Sequence, residues 1–288
     1  MATHNGAERL KMVLAAYAQA EDPGSVWQLC VVDNGSTDDT PVVLKSFCHS
    51  LPLVILHQPR PGKNVSLNLA IEHFANAGHD MILTDDDAIP APTFLREWAR
   101  TLARQSGHML FGGSVSPWFR ARPDPWLEAL SDQFDVLYAR TSHAEGPIAA
   151  NAIYGPNMAV RAAVFAAGLR FDEAMGPNSS VDNYPMGSET EFCVRAAAQL
   201  GISAWFSKGP SVAHIVRLSQ MTRDFVAARA QRHGRGVAVM RGYPRLTVKS
   251  LAQLAILRAK EMRGRPADWW HYNWQIGYRD AVRSRPVR

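Results

Sequence analysis

Long apolar runs are missing from this sequence. No stretch approaches the roughly 18 consecutive apolar residues that a membrane-spanning helix needs, so no spanning segment is expected. The opening MATHNGAERLKMVLAAYAQAEDPG has polar and acidic side chains inside its one apolar run and lacks the regions of a secretory leader, which points to a cytoplasmic protein. Cysteine is scarce. Cys30, Cys48 and Cys193 form no CxxC pair and leave one over after any bridge, which argues against a disulfide framework and fits small buried hydrophobes in a reducing compartment. Internal repeats and low-complexity tracts are absent too. Outside the tail, excess positive charge is also lacking: residues 1–240 hold 20 Lys and Arg against 23 Asp and Glu, whereas residues 241–288 hold 11 against 3. The net charge of +5 therefore belongs to the tail, and no nucleic-acid motif accompanies it, so no nucleic-acid partner is expected.

What is present is a grammar of apolar runs alternating with amphipathic stretches. WQLCVVD, LPLVILH, HDMILTD and MLFGGSV read as strands. Between them, TDDTPVVLKSFCHS reads as a helix entered through Ser36 and Thr37, with Asp38 and Asp39 in its first turn. NVSLNLAIEHFANAG puts Leu67, Ile71 and Phe74 on one face and ends at Gly78, and TFLREWARTLARQ spaces Phe94, Leu95, Trp98 and Leu102 helically. Such alternation predicts an α/β fold with a mostly parallel sheet, helices on both faces, and ligands at the carboxyl ends of the strands. Both polar clusters, DNGSTDD and DDD, fall at those ends. ATHNGAERL should be the turn leaving a first central strand, yet only Met1 precedes it, so that strand is expected to be truncated or lacking. Pro117, Pro123, Pro125 and Pro147 mark residues 117–151 as loop-rich and suited to a lid. Order resumes with SETEFCVRAAAQLG as a helix and ISAWFS as a strand.

Several side chains carry candidate chemistry. Asp85, Asp86 and Asp87 have no Lys or Arg among them, so their mutual repulsion invites a hard divalent cation; a solvated acidic turn is the alternative. Asp33 can accept hydrogen bonds from a nucleobase edge or cap the following helix. Lys63, in QPRPGKN, can meet a diphosphate as a point charge or remain a surface lysine. His4 can stack on a base or cap a turn. Glu189 and Glu191 sit in a first helical turn, where the helix dipole favours a carboxylate without any further role. His214 is a candidate metal ligand or a satisfied structural histidine.

Taken in order, ATHNGAERL, VVDNGSTDDT, PGKNVSLNLAIE, ILTDDDAIP, GPNMAVRAAVFAAGLRFDEAMG, GSETEFCVRA and VAHIVR resemble the segments of family 2 glycosyltransferases of the GT-A fold, a Rossmann-type arrangement, from Ala2 to about Arg235. The resemblance implies an inverting transferase that moves a sugar from a nucleoside-diphosphate-sugar to a saccharide or lipid-linked acceptor hydroxyl. It implies Mg²⁺ or Mn²⁺ held by Asp87 with His214 close by, a nucleotide-sugar pocket of Thr3, His4, Asn5, Asp33, Lys63, Asp85 and Asp86, and Glu189 as catalytic base with Glu191 in reserve. One departure stands out: the family's usual Glu-Asp pair is Ser188-Glu189 here, which lengthens the base by one methylene. Rival readings are a sugar nucleotidyltransferase, which would want a Gly-rich basic loop at the first strand, and a non-catalytic nucleotide-sugar or polysaccharide-binding protein.

The expected division is a catalytic domain over 1–240 and a basic, aromatic helical extension over 241–288. In that extension Trp270, Trp274 and Tyr278 recur at four-residue steps beside Arg279, Arg283 and Arg285. Such a stripe suits either peripheral contact with the cytoplasmic membrane face or packing onto the protein itself.

Overall fold

The computed structural model of the chain describes residues 1–74, 77–141, 143–246, 248–262 and 264–284. The first half runs β1 (Ala2–Thr3), α1 (Ala7–Ala18), β2 (Leu29–Asp33), α2 (Thr40–Ser46), β3 (Leu53–His57), α3 (Lys63–Phe74), β4 (Met81–Thr84), β5 (Ala88–Pro90), α4 (Phe94–Arg104) and β6 (Leu110–Phe119). It continues with α5 (Pro125–Glu128), α6 (Phe134–Tyr138), β7 (Gly146–Ile148), β8 (Asn157–Val160), α7 (Ala162–Ala166), α8 (Ser188–Leu200) and β9 (Ala204–Val216). Three helices close it: α9 (Arg223–Met240), α10 (Val248–Glu261) and α11 (Pro266–Arg283).

Two sheets share the strands. β1, β2 and β3 lie parallel, with Thr3 opposite Asp33 and Asp33 opposite His57, so the first strand exists as two residues and its polar end is aligned with that of β2. The second sheet has the order β4-β8-β6-β9-β5, with β7 on β9. Here the parallel expectation needs correcting. β4 and β6 run the same way, but β8 lies between them and pairs antiparallel with both, and β5 and β7 pair antiparallel with β9.

By contact density the chain forms two units. Unit 1 comprises residues 1–118, 139–173 and 189–215; unit 2 comprises 119–138, 174–188 and 216–288. The boundary expected at residue 240 thus falls inside unit 2. The core of unit 1 has two clusters. In one, Leu10, Val13 and Leu14 of α1 meet Val31, Phe94, Trp98 and Phe111; in the other, Leu67, Ile71, Leu83, Met158 and Phe192 come together. α4 shows why its sequence is helical: Phe94, Leu95, Trp98 and Thr101 are its buried residues and fall on one stripe.

Three local expectations change. α2 starts at Thr40 rather than at Ser36, with Asp39 at the N-cap position and Pro41 just inside, where a missing N–H costs nothing. Residues 117–151 combine loop with short helices that the sequence reading did not expect. Asp124 Oδ1 accepts from Leu127 N at 2.8 Å to cap α5, and Leu127, Leu130, Leu137 and Tyr138 are buried with Val226, Ala230 and Trp270 in the core of unit 2. Of the three free cysteines only Cys193 is buried; Cys48 is exposed.

In unit 2 the aromatic stripe of the tail is packed. Trp270 is buried, Trp269 meets Trp126 edge to face at 5.1 Å, and Trp274 stacks on Tyr278 at 5.2 Å. α9 and α11 touch through backbone, since a side chain at Gly277 would strike the Gln231 carbonyl and one at Gly234 the Trp274 carbonyl. Arg285 lies outside the described residues, and among those described no helix is long and apolar enough to cross a membrane.

Candidate active site

The candidate site is built in unit 1 at the polar ends of β1, β2 and β4. Asp33 is buried, and its Oδ1 accepts from Ser36 N at 3.0 Å, so it caps the turn, while Oδ2 lies 3.9 Å from His57 Nδ1. His4 and Asn5 also hold this turn: His4 Nδ1 is 2.8 Å from the Asn34 carbonyl, and Asn5 Oδ1 accepts from Thr37 N at 2.8 Å. Beside them stands Asn34, which sequence reasoning missed. Its amide donates to the Gln58 and Arg60 carbonyls, and its Oδ1 accepts from Gly62 N, each at 2.8 Å, so it clamps the loop that ends in Lys63. The only signal for this was an Asn directly after a strand-ending Asp, a residue type that satisfies backbone groups in turns.

The three aspartates do not stand together unpaired. Each already has its own partner from a distant stretch. Lys63 Nζ lies 2.6 Å from Asp85 Oδ1, Arg9 Nη2 lies 2.8 Å from Asp86 Oδ2, and His214 Nε2 lies 3.3 Å from Asp87 Oδ1. Thr3 adds its hydroxyl, donating to Asp86 Oδ2 at 2.6 Å. Their mutual repulsion is thus relieved by counter-charges 77 and 22 positions away, which no local window of sequence contains. Arg9 is the second residue missed.

These contacts set the electrostatics. Burial works against the charge on Asp87, but His214, with Arg9 and Lys63 beyond it, outweighs burial and holds the carboxyl at about 2. Asp86 goes the other way: burial and the neighbouring Asp87 raise it, and Arg9 and Thr3 only partly offset them. Burial also opposes the Lys63 charge, yet Asp85 and Glu189 overcome it and keep the ammonium protonated well above the ordinary lysine range.

Glu189 arrives from α8, more than a hundred residues from Asp85, and meets the same ammonium: Lys63 Nζ donates to Glu189 Oε1 at 2.8 Å. Its approach depends on Gly155, because any Cβ there would collide with the Glu189 carboxyl. Glu191 takes a different direction. It receives Arg195 Nε at 2.6 Å and Nη2 at 2.9 Å, a bidentate pair one helical turn along, and Arg195 is further tied to the Arg170 carbonyl.

Among the described residues no group of three or more His, Cys, Asp and Glu side chains is gathered as a metal cage. The donor set still fits one kind of metal. Strand pairing places Ala88 opposite His214, and so sets one ionised oxygen donor and one imidazole nitrogen side by side. A Mg²⁺ or Mn²⁺ ion, which keeps several water or phosphate ligands, needs few protein groups of this type.

Residues 1–158 match the model of Glycosyl transferase family 2. A search of curated proteins returned no match. Among solved structures, the chain is similar to the mannosyltransferase PcManGT from Pyrobaculum calidifontis, in complex with GDP-Man and Mn²⁺, with a TM-score of 0.61 and 17% identity over 98% of this chain and 72% of that one. It is also similar to residues 1–349 of S. aureus TarS in complex with UDP-GlcNAc, with a TM-score of 0.58 and 14% identity over 98% and 89% of the two chains. At such identities the likeness speaks for the GT-A fold.

Proposed function

Because the chain belongs to Glycosyl transferase family 2, we propose that it is an inverting, metal-dependent transferase moving a sugar from a nucleoside-diphosphate-sugar onto an acceptor hydroxyl, in the synthesis of a polysaccharide or glycoconjugate. The observation that carries the reading is the meeting of Asp85 and Glu189 on Lys63, at 2.6 and 2.8 Å. It joins the proposed donor-binding turn to the proposed base. The likeness to structures holding GDP-Man with Mn²⁺ and UDP-GlcNAc supports a nucleotide-sugar donor.

In this reading Thr3, His4, Asn5 and Asp33 line the nucleoside pocket, and Asp85 and Asp86 shape the turn that follows it. Asp87 and His214 would hold Mg²⁺ or Mn²⁺, which when bound neutralises charge on the diphosphate leaving group. Glu189, paired with Lys63, accepts the proton of the acceptor hydroxyl as its oxygen attacks the anomeric carbon from the face opposite the leaving group. One displacement inverts the configuration. Glu191, committed to Arg195, is the weaker base candidate. The proposed acceptor is a saccharide or a lipid-linked acceptor. Work at the cytoplasmic membrane face would use α10 and the turn after it, where Ile256 and Met262 are exposed near Arg258 and Lys260.

The test is direct. With Mn²⁺ and a panel of nucleotide-sugars, the wild-type chain should release nucleoside diphosphate when acceptor is supplied. Asp87→Ala should abolish release, and Glu189→Gln should slow turnover by about 10²-fold or more, the usual worth of a general base. Binding without turnover across the panel would leave a nucleotide-sugar-binding protein instead.

A further inference from the structure

Lys63 sits where two parts of the proposed chemistry meet, and its position is fixed from behind. Asn34, next to Asp33, accepts from Gly62 N and donates to the carbonyls of residues 58 and 60, so the loop delivering Lys63 is anchored to the nucleoside end of the site. From there the side chain enters a small pocket walled by Leu67, Leu83, Met158 and Phe171, in which Asp85 and Glu189 are the other charged groups. An ammonium has three donors, and two of them go to Asp85 Oδ1 and Glu189 Oε1. On α8 itself, the Cys193 thiol is pushed up by its burial and then by the Glu189 and Glu191 charges, while Glu191 is paired with Arg195.

One cation thus serves two carboxylates. A diphosphate brought to the Asp85 turn adds oxygen anions that compete for the same ammonium, which binds phosphate as readily as carboxylate. We propose that Lys63 is a positioning residue that holds the Glu189 carboxylate in the absence of donor and yields it to the arriving diphosphate, so that donor binding itself strengthens the base. The inference rests on the reading of Glu189 given above. Its physical content is that removing an opposite charge from a carboxylate, and adding a like charge near it, both favour the protonated form. A base armed only by donor acts on the acceptor hydroxyl when the sugar is in place.

The experiment is a ¹³C NMR titration of the full-length chain labelled at glutamate carboxyl carbons, with Glu189→Gln identifying the Glu189 signal. Lys63→Met should raise the Glu189 midpoint by about one to three pH units, the ordinary effect of losing a close opposite charge, and Lys63→Arg should return it toward wild type. Lys63→Gln provides a second neutral variant if Lys63→Met unfolds. Inorganic pyrophosphate with Mg²⁺ should move the midpoint upward in wild type and by less in the neutral variant. A midpoint unchanged by loss of the lysine, unmoved by pyrophosphate in wild type, or moved equally with and without the lysine overturns the proposal. Turnover of nucleotide-sugars is a separate readout. If the wild-type chain releases no nucleoside diphosphate while the titration behaves as described, the transferase reading fails and the lysine clamp stands.

Discussion

Asp87 and His214 face each other at 3.3 Å across the pairing of β5 with β9, in which Ala88 is opposite His214 and the Asp87 carbonyl accepts from Ile215 N. The geometry is held by backbone and is therefore present before any ligand. A divalent cation that binds there stabilises the folded chain by mass action, about 2.7 kcal/mol at a hundredfold excess over its dissociation constant. Thermal unfolding with increasing Mn²⁺ should show a rising midpoint. Asp87→Ala and His214→Ala should each flatten that rise, and lowering the pH should weaken it in wild type, because a protonated imidazole cannot ligate. A rise that survives both substitutions places the metal elsewhere.

Gly155 tests whether the observed position of Glu189 matters. A methyl group there collides with the Glu189 carboxyl, the far end of a flexible side chain, so the fold can relieve the clash by turning Glu189 away from Lys63. Turning Glu189 aside breaks its pairing with Lys63, so Gly155→Ala should lower the thermal midpoint as well, while turnover falls by about tenfold or more, since a misplaced base loses much of a contribution of about 10²- to 10⁴-fold. Steady-state kinetics beside an unfolding curve measures both. Equal turnover in the variant would show that the observed position of Glu189 does not matter to the reaction.

How much of this was legible beforehand depends on whether the signal was local. Leu29–Asp33 and Met81–Thr84 announced themselves as strands by apolar runs that end at or just before an aspartate, and they placed Asp33 and Asp85 at sheet ends correctly. α5 hid behind Pro123 and Pro125, although an Asp followed by Pro is also a helix start, as Asp124 and Pro125 prove to be. β8 could not be ordered between β4 and β6 because strand order is a long-range property that a four-residue run does not encode. For the same reason Arg9 and Lys63 were not matched to the aspartates they neutralise, and Asn34 looked like a turn residue when it is the clamp of a second loop. A unit assembled from residues 119–138, 174–188 and 216–288 has no compositional border at which to be recognised.

Gly277 sets two opposing effects against each other. Alanine is the better helix former by about 1 kcal/mol, which favours Gly277→Ala within α11. Its Cβ, however, would meet the backbone of Gln231, and a backbone cannot rotate away as a side chain does. Forcing α9 and α11 apart disturbs packing that holds Trp270 in the core, and overpacking of this kind costs about 1–3 kcal/mol. The net expectation is destabilisation, visible as a lower urea midpoint for the variant. A midpoint equal to or above wild type would mean that the two helices do not approach as closely as described.

His233 on α9 supplies a pH test with a definite sign. Burial, reinforced by the positive charge of Arg229, pushes its pKa down from 6.5 to about 4, and its buried Nδ1 has no hydrogen-bond partner among the described residues. Above pH 6.5 the imidazole is neutral in both folded and unfolded chains and contributes nothing to pH dependence. Between 6.5 and 4 the unfolded chain takes up a proton that the folded chain refuses, so stability falls as pH falls, by about 3 kcal/mol at most over that window. His233→Gln removes the titration and should lose less stability than wild type between pH 7.5 and pH 4.5, as read from urea unfolding at each pH. Carboxylates contribute the same slope to both proteins and cancel in the difference. Parallel decline of the two would show that His233 accepts its proton in the folded state as easily as in the unfolded one.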